Sequence, residues 1–423
     1  MEQDQNTRPP APDTHVDARD FRVISVSIVA SDGTQQEVAP SVAEVQVRQD
    51  MFLSFMSGEL LITDGNDLVS RLGLHGGEYM FLHFEVPEQD IVLKKAFRIY
   101  KIVDRNPKDA QQKFKILFVS DELYNSHSIK VSKAYTNTTI SEIALDLLKN
   151  VLKIPENRIF IDKTTGSTSV IVPYWNPVET LNWLAARAYA PGSSTYFFYE
   201  DVEGFHFAST AGIYKRGTKI KVPFSLENKR GEKELDMDKF AIDDYIQKKE
   251  FDILSCLQDG GYAMGLTKLD LITRTRTAHE YNLGTLPKAY TNPIMSNQKD
   301  LYRKTDAHRM TYIAQDGIEN WISHVMANAV LNSNLAEITV PGNMGLLIGT
   351  MLNVRVPYIV TPAEGDMWDK RKSGKYLVTA VNHKFDLVQS KFTSLVWLTR
   401  DSLPEPLPNV DKTLPDKIAR LNK

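Results

Sequence analysis

Thiols are nearly missing from this chain: Cys256 is the one cysteine in 423 residues. That count excludes an intramolecular disulfide and a thiolate metal cluster. The neighbours of Cys256 in "FDILSCLQDG" predict a buried, inert thiol. An excess of charge is missing too. Fifty Lys and Arg against 53 Asp and Glu leave a net charge of −3, so composition supplies neither a general nucleic-acid-binding surface nor an acidic tail. No run approaches the roughly 18 apolar residues that span a bilayer. The opening "MEQDQNTRPPAPDTHVDARD" has no apolar core or cleavage pattern, which predicts no signal peptide and synthesis in a cytoplasm.

Catalytic and cofactor signatures are also lacking. "SGKY" at 373–376 resembles the end of a phosphate loop, but Asp369 stands where the first glycine belongs and Tyr376 replaces Ser or Thr. "PGNMGLLIG" lacks dinucleotide spacing and lies between strands. "LDMDKFAIDD" starts like a calcium loop, yet Ala241 occupies the glycine position and Gln247 that of the bidentate Glu. No His-Glu-x-x-His occurs, and the nine histidines are scattered singly. Paired acids for glycoside hydrolysis could meet in space among 53 carboxylates, but each is read first as a solvated surface acid. Asn137 in "TNTTI" reads as a helix entry rather than a glycosylated site. The aromatics of "STYFFYEDVEGFHF" lack interleaved Lys or Arg and read as hairpin core, not a base-stacking platform. No catalytic residue, cofactor site or metal site is therefore assigned.

What is present is alternation. From Phe21 to about Val119 short strands dominate: Ala43, Val45 and Val47 share one face, as do Met80, Leu82, Phe84 and Val86. The period then changes. "TTISEIALDLLKNVLKIP" places Ile140, Ile143, Ala144, Leu147, Leu148 and Val151 on one helical stripe, with Thr139 and Glu142 at capping-box spacing. "NPVETLNWLAARAYAPG" repeats the device with Asn176, Pro177 and Glu179. The charge run 227–238 reads as a solvated loop and a boundary. "DGIENWISHVMANAVL" predicts a third helix, with Asp316 and Glu319 at capping spacing. A β meander closes the body.

Within that meander, "RKSGKYLVTAVNHKF" puts His383 on the apolar face of a strand, between Val381 and Phe385. With no ligand or nucleophile pattern nearby, His383 is expected to be a structural histidine with a satisfied hydrogen bond. The fold class is mixed β and α+β, in several domains: β modules around an α+β body, the first of them a small barrel or sandwich. The proline-spaced "SLPEPLPNV" and the two helical turns outlined by Leu414, Ile418 and Leu421 form a tail that needs a partner to hold it.

The order of elements resembles the central hub proteins of contractile-tailed phage baseplates, and more distantly the hub region of type VI secretion spike proteins. It is carried by "TTISEIALDLLKNVL", "NPVETLNWLAARA", "TYFFYEDVEGFHFA", "GTMLNVRVP", "SGKYLVTAVNHKF" and "FTSLVWLTRDSL" in that sequence, over roughly residues 20–402. The resemblance implies a structural virion protein of the tail baseplate, made late in infection and assembled in the host cytoplasm. It implies two small antiparallel β-barrel (tube) domains per chain beside the α+β body, and a homotrimer in which these tube domains form a pseudo-sixfold ring. That ring would join a trimeric spike to the hexameric tail tube, touch the baseplate wedge proteins and let DNA pass. The tube domains fall at 21–120 and at 236–285 with 332–402. The body covers 121–235 and 286–331, with an arm at 1–20 and a tail at 403–423. Leu403, Leu407, Val410, Leu414, Ile418 and Leu421 are the candidate partner contacts. The alternatives are a baseplate-associated cell-wall hydrolase and a tail-tube or adaptor subunit.

Overall fold

The computed structural model describes residues 19–106, 112–193, 195–226, 239–250, 252–282, 309–313, 317–332, 334–359 and 367–400. The charged loop 227–238, Asp316 and all six tail contacts (Leu403, Leu407, Val410, Leu414, Ile418 and Leu421) lie outside them.

The first third of the chain is β, as the alternation predicts. It runs through β1 (Arg22–Val29), β2 (Gln35–Glu37), β3 (Val42–Asp50), β4 (Ser57–Asp64), β5 (Tyr79–Glu85), β6 (Leu93–Val103) and β7 (Gln112–Ser120). One short helix, α1 (Leu68–Leu72), interrupts them and ends at Gly73, whose φ of 60° is the left-handed cap that glycine adopts without strain. Next come α2 (Asp121–Ser128), β8 (Val131–Thr138), α3 (Ile140–Asp146), β9 (Ile159–Ile161), β10 (Thr168–Trp175), α4 (Pro177–Ala185), β11 (Tyr196–Glu200), β12 (Phe205–Ser209) and α5 (Thr210–Arg216). The remainder holds β13 (Phe224–Ser225), β14 (Asp244–Lys249), α6 (Ile253–Gln258), β15 (Ala263–Asp270), β16 (Thr275–Asn282), β17 (Arg309–Ile313) and α7 (Ile318–Leu331). It ends with β18 (Leu335–Pro341), β19 (Met351–Arg355), β20 (Gly374–Asp386) and β21 (Lys391–Thr399).

Thirteen strands form one sheet, ordered β14-β18-β21-β20-β3-β4-β7-β6-β5-β1-β2, with β19 beside β20 and β13 beside β19. The pairing is antiparallel throughout except for β13 with β19. Two separate barrels were the expectation; among the described residues the strands of both regions join, and no sheet closes into a barrel. The joint is β20. Its first residues pair with β19 (Gly374↔Val354) and its last seven with β3 (Ala380↔Asp50 to Asp386↔Glu44). Two cores flank this crossing. One contains Val26, Leu60, Met80, Phe97 and Phe118 and is closed by Phe385 and Phe392, stacked at 4.3 Å. The other contains Ile338, Val354, Val378, Val396 and Leu398.

The α+β layer packs outside the first core. Its helices start as the sequence predicts: Thr139 with Glu142, and Asn176 with Glu179, each make a reciprocal capping box, and Pro177 fills the first turn. Each cap is worth about 1 kcal/mol. Ile143, Ala144, Leu147 and Leu148 are fully buried against Leu181, Leu184, Tyr196 and Phe207. The helix continues as a wide turn over Leu147–Val151, which keeps Leu147 and Leu148 buried, and ends before Pro155. β11 and β12 form the expected hairpin, with β9 added in parallel.

Residues 263–282 do not join the large sheet. β15 and β16 form a hairpin that pairs with β17 and packs on α7 through Met264, Leu266, Ile318, Ile322 and Met326. The N-cap of α7 is Gly317, with no side-chain cap.

Candidate functional site

His383 sits where β3, β20 and β21 meet, opposite Val47 on one side and Ser394 on the other. It is fully buried between the two cores, Val381 belonging to one and Phe385 to the other. Its Nδ1 lies 3.0 Å from Ser394 Oγ, which also accepts the Asn343 N–H. Its Nε2 has no partner among the described residues. Gln49, two residues beyond Val47 on β3 and on the same face, is equally buried with both amide atoms unpartnered. Burial pushes the His383 pKa down to about 3. Among the described residues no nucleophile, acid or second ligand converges on it, and its one hydrogen bond satisfies half of the ring.

A constellation the sequence reading missed lies at the β11–β12 turn. Ligand atoms of Asp201, Glu203 and His206 lie within 4.8 Å of one another. Asp201 Oδ1 accepts the N–H groups of Glu203 and Gly204, which fixes the turn. Arg216, a donor only, reaches His206 Nδ1 at 3.2 Å, so the neutral ring carries its proton on Nε2. That Nε2 stands 2.9 Å from Asp201 Oδ2 but off the line of a hydrogen bond, making the contact electrostatic. Lys219 reaches both Glu203 oxygens at 2.7 Å. Rings of Phe160 and Tyr199 stack on the two faces of His206 at 4.8 and 4.9 Å. With two cations committed to the cluster and a proton on the facing nitrogen, this donor set stabilises a turn and does not suit a metal. Gly204 is required here, because a Cβ would meet Arg158 O at 2.3 Å.

The strongest polar feature joins the first β core to the α+β layer. Glu200, at the end of β11, is completely buried. It is paired with Lys95 of β6, accepts the Ser120 hydroxyl and the Met56 N–H, and stands 3.5 Å from Arg158. Glu122 completes the group, 3.4 Å from Lys95 and 3.3 Å from Arg158. Burial pushes the Glu200 carboxyl above the usual carboxylate range, against the pull of Lys95. Two acids and two bases drawn from four segments lock the layers in one arrangement. A carboxylate, Glu200, closing the aromatic run of Tyr196, Phe197, Phe198 and Tyr199 was the available signal.

Surfaces fit for assembly are apolar tips and open edges. The β15–β16 turn exposes Leu271 and Ile272, the latter 95% exposed, beside Ile313 at the end of β17. Ile171 and Tyr174 stand out on β10. The large sheet ends on β14, whose outward Asp244, Ile246 and Lys248 carry the charge typical of a protected edge. No helix among the described residues is long and apolar enough to cross a membrane.

No protein-family model matches the sequence, and no curated protein matches it. Solved structures do. The tail protein from Neisseria meningitidis MC58 superposes with a TM-score of 0.53 at 12% identity, covering 90% of this chain and 97% of that one. The 43 kDa tail protein of prophage MuSo2 from Shewanella oneidensis gives 0.53 at 11% identity, over 89% of this chain and 98% of that one. The E. coli c3393 protein, described as a component of the type VI secretion system, covers 92% of this chain at a TM-score of 0.46, too low to carry an argument. The chain therefore shares the fold of two tail proteins along nearly its whole length.

Proposed function

We propose that this chain is a structural protein of a contractile phage tail, the hub of its baseplate. The observation that carries the reading is the shared fold: nine-tenths of the chain follows the tail protein from Neisseria meningitidis. Such a fold supplies surfaces rather than a reaction centre, in keeping with the committed donor set at His206. In this reading the two cores on either side of β20 belong to the two tube modules, at 21–120 and at 236–285 with 332–402, although 263–282 fold apart from the large sheet. The segments 121–235 and 286–331 form the outer body.

Three chains would then offer six tube modules around a central passage. This ring matches a sixfold tail tube above and a trimeric spike below, and DNA crosses its lumen. Interfaces of this obligate kind bury on the order of 2,000 Å² or more. A lumen that lets DNA slide needs a polar lining without clustered Lys and Arg. Light scattering on the purified chain tests the stoichiometry: the expected mass is three times 47.9 kDa. A mass of 47.9 kDa that persists when spike and tube proteins are added rejects the hub reading.

A further inference from the structure

We infer that the cavity between α4, the start of α7 and the loop before β10 binds a small molecule bearing a phosphate or carboxylate group, held by Arg187. This rests on no part of the assembly reading. The cavity measures about 460 Å³ and is lined by Thr165, Ser167 and Thr168 of the loop, by Arg187 beyond α4, and by Lys268 and Glu319 across from it. Its size lies in the range of small-molecule sites, far beyond what a free phosphate ion fills.

Arg187 is the group that asks for a ligand. Its guanidinium lies 4.0 Å from the Trp183 ring centre, and stacking of this kind leaves the in-plane N–H groups to bond elsewhere. One amino group reaches Trp183 O at a long 3.5 Å, and the buried Nε has no acceptor. No carboxylate pairs with it among the described residues, although an arginine stays charged at any ordinary pH. Burial lowers its pKa, with Tyr312 acting in the opposite direction. The cation opposite is already used, since Lys268 pairs with Glu319. The site thus keeps one net positive charge, on the residue best shaped for a forked grip on an oxyanion.

The loop supplies complementary donors. Hydroxyls of Thr165, Ser167 and Thr168 make no bond to any described residue while lining the cavity. A purely structural arginine would tie α4 to α7 by its side chain. Here that tie is made by the backbone instead: Asn320 Nδ2 donates to Arg187 O at 3.1 Å. The guanidinium remains available.

The test is calorimetric titration of the full chain at fixed ionic strength with glucose 1-phosphate, glucuronate and, as neutral control, methyl glucoside. Saturable binding of at least one acid, with one site per chain and none for the neutral sugar, is expected. The better of the two acids then assigns the anion as phosphate or carboxylate. Arg187→Gln should weaken it about tenfold or more. That variant also loses the Trp183 stacking, so Ser167→Glu provides a second reading from an exposed loop position; its added negative charge should abolish binding while leaving the melting temperature unchanged. The inference is overturned if neither acid saturates at millimolar concentration, if the neutral sugar binds equally well, or if Ser167→Glu binds like the parent.

Discussion

Acid should weaken this protein through His383, a histidine buried between its two cores. In the folded chain His383 is neutral because it is wholly buried, its pKa pushed down to about 3 from an ordinary 6.5. The unfolded chain binds a proton below 6.5 that the native state refuses. Stability from this group is therefore complete above 6.5 and drains away as pH falls toward 3. At about pH 4.5, two units into that window, the loss is about 2.7 kcal/mol, at about 1.36 kcal/mol per unit. Such a loss is a sizeable part of the stability of an ordinary domain. His324, between Thr195 and Asn328 with its pKa lowered to about 4 by burial and by Arg187, acts in the same direction. Subtraction separates the two. Urea unfolding of the parent chain and of His383→Gln, each at neutral pH and at about pH 4.5, should show the parent losing about 2.7 kcal/mol more than the variant. Equal losses in both proteins would refute the argument, because they would place the protonation outside His383. A chelator should leave both melting curves unmoved; a drop confined to the parent would mean that His383 holds a metal.

The buried ion network gives a larger effect at a single position: Lys95→Met leaves Glu200 without its nearest cation, at an expected cost of about 3–5 kcal/mol in chemical unfolding. A change below about 1 kcal/mol would mean that Arg158 and Ser120 suffice to hold the carboxylate. Deleting residues 403–423, which carry Leu403, Leu407, Val410, Leu414, Ile418 and Leu421, should leave the melting temperature of the body in place but weaken assembly in sedimentation. Unchanged assembly would remove the tail from the account.

Local elements were legible where one residue type decided them. Thr139, Asn176 and Pro177 announce helix starts, and the alternation through Met80, Leu82 and Phe84 announces a half-buried strand. The helix over Asp121–Ser128 was not legible. It buries only Ser126 and has no apolar stripe; the pairing of Arg98 with Asp121 helps hold it, a contact between residues far apart in the chain. The union of the two β regions was hidden for a similar reason. β20 meets β3 across more than 300 residues, and alternation tells which face a residue takes, not which strand lies beside it. His383 could be read because its strand neighbours fixed its face. Arg187 could not: its meaning comes from the missing carboxylate, which only the packed structure reveals.

The hub assignment meets its most direct test in averaged electron images of the purified, cross-linked assembly. The account predicts a threefold particle with six β modules evenly spaced around an open channel, two from each chain. A closed particle, a ring with one module per chain, or single chains without symmetry would contradict it.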